Sequence, residues 1–162
     1  MAVLESLTYE TILKSLQDEL QKAQLLYYVP DKAIIIGTVS EKEIIPTFEK
    51  YCIRISTPDS GWLIKNPKIG WYYKNDYAVA IELWVKSSGK LAQRLTSGSI
   101  SVNKGIYEFL KDVIDILEHN TLDGQLHPYA GSSIGPQNTI KTDDKETEGI
   151  MFFWYGTQLN KS

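Results

Sequence analysis

The sequence predicts an α+β fold: a mixed, mainly antiparallel sheet with two helices packed on one face. Three observations carry that expectation. Within residues 101–127, Ile106, Phe109, Leu110, Val113, Ile114 and Leu117 recur at the three-and-four spacing of one helical stripe. Residues 77–86, YAVAIELWVK, alternate so that Tyr77, Val79, Ile81, Leu83 and Val85 share one strand face. The run IMFFWY at 150–155 is dense in β-forming residues.

The elements follow in order. Residues 6–25 read as the first helix, with Ser6 or Thr8 as N-cap and Tyr9, Ile12, Leu13, Leu16 and Leu20 on its apolar face. Pro30-Asp31 is a turn signal, and residues 33–37 form a short β-branched strand. Residues 48–56 alternate, with Tyr51, Ile53 and Ile55 opposed to Lys50, Cys52 and Arg54. Residues 57–76 carry prolines, glycines and turn formers together with four large aromatics. They read as a long excursion, with room for a hairpin of its own. The strand at 77–86 leads through a Ser/Gly-containing connector to the second helix. That helix stops where His119 and Asn120 break the stripe, and Asp123-Gly124 supplies a turn. Residues 128–149 are the most loop-like segment, with an irregular strand around 133–142 and an acidic end. Ala78, Ala80, Glu82 and Trp84 form the second face of the 77–86 strand, expected to be semi-exposed or covered by a neighbouring subunit.

With 162 residues, 43% hydrophobic and 23% charged, the chain reads as one domain over 1–162 with a core of its own. A net charge of −3 argues against a main task of gripping nucleic-acid phosphates. The single Cys forms no internal disulfide. The first residues lack the basic-then-apolar order of a signal peptide, and no apolar run approaches the ~20 residues of a membrane span. A soluble protein made in a cytoplasm is the expectation.

Catalytic equipment is sparse. The two His, 119 and 127, make no HExxH pair, and one Cys cannot build a thiolate zinc site. They read as a helix-end His and a loop His. Cys52 lies inside an alternating strand, where Cys is usually a small hydrophobe. No nucleophile elbow, P-loop or dinucleotide fingerprint occurs. No catalytic, cofactor-binding or metal residue is assigned, and no enzyme is expected. Glu82 is placed to form a cross-strand ion pair with Arg54.

Two features have a functional reading beside a plain one. Trp62, Trp71, Tyr72 and Tyr73 are either a loop folded back on its own domain or an anchor set for a subunit or partner chain. Asp143, Asp144, Glu146 and Glu148 are either a solvated loop or the lining of a channel or ring face.

The order of elements resembles that of tail terminator (tail completion) proteins of tailed phages and related contractile injection particles. The resemblance rests on the opening helix ETILKSLQDEL, the strand YAVAIELWVK, the helix IYEFLKDVIDILEHN with its TLDGQL exit, and the final strand GIMFFWYGTQL. It implies a structural virion protein, a homo-oligomer whose ring, expected to be a hexamer, ends the tail tube and joins tail to head. Its partners would be the tail tube protein and neck or connector proteins. DNA would pass through without specific binding, and neither cofactor nor membrane would be involved. The resemblance places the chain in the tail or neck of a virion after synthesis in the host cytoplasm. The rival readings are another neck or tail-tube component, or a non-viral soluble module that binds a protein.

Overall fold

The computed structural model describes residues 8–37, 46, 48–57, 64–65, 72–86, 104–126, 132–142 and 146–161, without the side chains of 64–65, 72–75 and 159–161. Helix α1 spans Tyr9–Lys22. The Thr8 hydroxyl accepts the Thr11 amide at 3.2 Å, satisfying one of the donors a helix start leaves over. Ile12, Leu13, Leu16 and Leu20 are its buried stripe. The helix is shorter than expected because Ala23 turns extended, and the chain continues as a 3-10 turn over Gln24–Leu26.

Helix α2 spans Ile106–Leu117 and buries Ile106, Phe109, Leu110, Val113 and Leu117. Its end is a local hydrogen-bond exchange around Asn120. The Asn120 amide donates to the Ile116 carbonyl and to Glu19 of α1, each at 3.1 Å, and its oxygen accepts the Leu122 amide at 2.8 Å. His119, Leu122 and Asp123 take positive φ there, followed by Gly124. Side-chain hydrogen bonds offset the strain of those conformations, and the Glu19 contact ties the two helices together.

Seven described strands form one sheet: β1 (Ile34–Ile36), β2 (Tyr51–Ser56), β3 (Ile64–Lys65), β4 (Tyr72–Lys86), β5 (Ser132–Ile134), β6 (Asn138–Ile140) and β7 (Thr147–Lys161). The order is β1-β2-β4-β7-β5, with β3 beside β4 and β6 beside β7. Only β1–β2 is parallel among the described pairs, so the expected mixed, mainly antiparallel α+β class is found. Register puts Ile53, Leu83 and Ile150 in one cross-strand row and Ile55, Ile81 and Phe152 in the next. These rows, with Val79 and Trp154, pack under both helices in one hydrophobic cluster.

Three sequence expectations change. Strand β4 starts at Tyr72, not at residue 77, because Lys74, Asn75 and Asp76 pair along β7 despite their turn-forming character. Strand β7 starts at Thr147, so Glu148 belongs to a strand and not to a loop. The second face of β4, expected to be semi-exposed or covered by a neighbouring subunit, is buried within the single chain at Ala80, Glu82 and Trp84, with only Ala78 half-buried. Cys52, Arg54 and Ser56 beside them on β2 are buried too.

Glycines seat the two central indoles. The Trp84 ring lies on Gly149, its cross-strand partner, and a Cβ at 149 would fall 2.8 Å from Trp84 Cζ3. On the helix side the Trp154 ring occupies the space above Gly156. The β1 edge is blunted by α1. Gln17 donates to the Ile34 carbonyl at 2.8 Å, so a side chain occupies an acceptor that a foreign strand would use, and Gln21 donates to the Asp31 carbonyl at 3.1 Å in the 3-10 turn just before the strand.

Candidate functional site

The parallel pair β1–β2 creates a concave feature. Both strands start at the same end of the sheet. Between them lies a groove of about 500 Å³, lined among the described residues by Tyr28, Pro30, Lys32, Ala33, Phe48, Glu49, Lys50 and Tyr51. Mostly apolar walls with a few polar groups are what a binding cleft requires.

The groove floor is rigid. Tyr28, Tyr51 and Phe109 stack edge to face, with centroids 4.9 Å apart for Tyr28–Tyr51 and 5.4 Å for Tyr51–Phe109. Both phenols are anchored. Tyr28 donates to Asp112 Oδ2 at 2.6 Å, and Tyr51 donates to the Lys104 carbonyl at 2.8 Å. Burial first, and then the hydrogen bond to Asp112, raises the Tyr28 phenol far above its ordinary value. Burial pushes the Tyr51 phenol up to about 12.

Lysines surround these rings. Lys50 lies over Tyr51 at 5.7 Å, Lys86 over Phe48 at 4.8 Å and Lys104 over Tyr28 at 5.1 Å. Lys104 is neutralised by Asp112 at 2.9 Å. Lys32, Lys50 and Lys86 pair with no carboxylate among the described residues. In a chain of net charge −3, Lys32 and Lys50 line the groove against one acid among its lining residues, Glu49, with Lys86 over Phe48.

Of the anchor candidates, Trp62 and Trp71 lie outside the described residues. The backbones of Tyr72 and Tyr73 begin β4, opposite Lys161 and Asn160. Of the acidic candidates, Asp143 and Asp144 lie outside the described residues, while Glu146 is exposed in the turn before β7 and Glu148 is half-buried opposite Val85. Among the described members, the Tyr72–Tyr73 backbone and Glu148 are therefore not brought together. Tyr72 and Val85 stand at opposite ends of β4, separated by roughly 40 Å at ~3.3 Å per residue. The groove shares its end of the sheet with Glu148, since Tyr51, Val85 and Glu148 form one cross-strand row.

Sequence reading placed Tyr51 on a strand face but did not find the groove. Tyr28, Phe48 and Tyr51 meet only through the parallel β1–β2 pairing, which no local pattern announces. The other reactive-looking groups have structural explanations. Arg54 and Glu82 form a buried bidentate pair, with Nε to Oε2 at 2.7 Å and Nη2 to Oε1 at 2.8 Å. Cys52 is buried, and that burial pushes its thiol up to about 12. His119 is exposed at the end of α2, and His127 lies outside the described residues. No three His, Cys, Asp or Glu side chains gather in a metal-holding group among the described residues. No described helix is long and apolar enough to cross a membrane.

No family model matches the chain, and no curated protein matches it. A solved structure does. One chain of a structure described as the virion of a native gene transfer agent particle superimposes with a TM-score of 0.55, covering 93% of this chain and 95% of that one. The two chains share a fold. Their identity is 9%, so the likeness is one of backbone arrangement, and the groove residues must be read from this chain alone.

Proposed function

We propose that this protein is a structural subunit of a phage-like virion and works by assembly, without turnover or cofactor. Within that class we infer a tail terminator: a single-domain subunit whose homo-oligomeric ring, six copies in the simplest case, ends the tail tube and joins it to the neck. The observation that carries the virion reading is the fold shared with a virion chain over nearly the full length of both proteins. The finer assignment draws on the element order of helix, long strand, helix and final strand.

Physical chemistry supports the reading. A mildly acidic ring around a channel repels DNA phosphates and lets the genome pass. A subunit surface that must meet several neighbours uses aromatic anchors, and Trp62, Trp71, Tyr72 and Tyr73 are the candidates for contacts with the next subunit or the tube. Asp143, Asp144, Glu146 and Glu148 are candidates for the ring face.

Light scattering on the eluting purified protein, run across concentration with and without isolated tail tubes, tests this reading. A ring mass, or co-elution with tubes, is the expected result. A monomer at every concentration that also ignores tubes contradicts it.

A further inference from the structure

We propose that the rim of the β1–β2 groove, built around Tyr27, Pro30 and Phe48, docks a segment of another protein in which an apolar side chain stands between carboxylates. This surface is independent of the ring contacts above.

Exposure is the first support. Tyr27 is 68% exposed, and its ring stands edge-on to Tyr28 with centroids 5.4 Å apart. Tyr28 lines the groove, so the Tyr27 ring continues the groove surface outward. Pro30 is exposed, and Ala33 and Phe48 are half-buried. These four side chains are the apolar area open to a partner. Tyr28 and Tyr51 are buried beneath it and only hold it in shape, through Asp112 and the Lys104 carbonyl. Lys86 donates to the Phe48 carbonyl at 2.9 Å and lies over its ring, which fixes Phe48 in place. A surface already held rigid loses little freedom when it is covered, and Tyr is among the residues that carry most of the energy of protein contacts.

Charge is the second support, and it names the partner. Lys32 stands before β1 and Lys50 before β2, so the two lysines flank the apolar strip from the two segments that form the groove. Lys32 is exposed and Lys50 half-buried, and neither pairs with a carboxylate among the described residues. Cations on either side of an apolar strip are complemented by carboxylates on either side of an apolar side chain. A nucleic-acid strand is a poorer match. Asp31 and Glu49 are exposed next to these lysines in the chain, and they oppose a continuous run of phosphates.

The test is titration of the full chain with a blocked peptide that holds one phenylalanine between two pairs of aspartates, followed by NMR shifts and calorimetry at low salt. The backbone amides of Tyr27, Lys32 and Lys50 are expected to shift and saturate. Tyr27→Ala is expected to weaken binding about tenfold. Lys32→Gln combined with Lys50→Gln is expected to weaken it by about the same factor at low salt, with the difference shrinking as salt is added. Peptides with asparagine for the aspartates, or alanine for the phenylalanine, bind correspondingly less. Tyr27 and Lys32 are exposed, so Tyr27→Ala and Lys32→Gln are each expected to melt like the parent and give a reading on their own. No saturable shift at the groove, a neutral peptide that binds as tightly as the acidic one, or folded variants that bind like the parent overturn the proposal. A thymidine oligonucleotide that displaces the peptide from these residues overturns it in favour of nucleic acid. Self-association that Tyr27→Ala abolishes overturns it in favour of a second copy. A wild-type protein that forms no ring but binds the peptide overturns the ring reading and leaves this one standing.

Discussion

Arg54 and Glu82 face each other across β2 and β4 in a two-pronged ion pair, and each side chain is only 3% exposed. A buried pair of this kind contributes little over an apolar pair of equal volume, but breaking it leaves a lone charge in the interior. Removing either partner alone, as in Arg54→Met or Glu82→Leu, is therefore expected to cost about 3–5 kcal/mol. The double variant is expected to recover most of that loss. Urea unfolding of the four proteins measures it, and additive losses in the double variant would show that the charges act separately.

Gly149 is required by Trp84. A methyl group at 149 would lie 2.8 and 2.9 Å from the indole carbons Cζ3 and Cε3 and 3.2 Å from the Ile140 Cβ. The indole is buried and cannot swing into solvent. Gly149→Ala is expected to destabilise by about 1–3 kcal/mol through overpacking. Combining it with Trp84→Leu should make the alanine nearly neutral, because the ring it strikes is gone. Denaturant midpoints of the two backgrounds check this.

Cys52 should be chemically silent in the folded protein. Its thiol is raised to about 12, first by burial and then by Glu82, with Arg54 acting in the opposite direction. A group whose folded value lies above its unfolded value near 9 contributes stability that is fully present below that unfolded value. The contribution is lost as pH rises towards 12. A thiol reagent at about pH 8 is therefore expected to label native protein only at the rate of unfolding, and stability should fall above about pH 9. Rapid stoichiometric labelling under native conditions would contradict the buried placement.

Much of this fold was legible because apolar periodicity and packing agree. The stripes of α1 and α2 and the Tyr77-to-Val85 face are the faces that meet in the core. The Arg54–Glu82 pair was legible too, since both residues sit on the second faces of alternating strands. Three things were hidden. Lys74, Asn75 and Asp76 look like a turn, yet the length of β7 extends β4 through them, with Thr157 donating to Asp76 at 2.9 Å. The second sheet face holds Ala80, Trp84 and Cys52 beside the ion pair, and one acid among small residues looked like partial exposure. The groove at Tyr28, Phe48 and Tyr51 depends on segments about twenty residues apart in sequence, brought side by side by a parallel pairing.

The account stands on assembly, and images of the purified protein test it most directly. Negative-stain class averages of wild-type protein at low salt, with and without tail tubes, are expected to show rings with a central channel, free or seated on tube ends. Fields of single small particles in both samples, with bare tube ends, would contradict it.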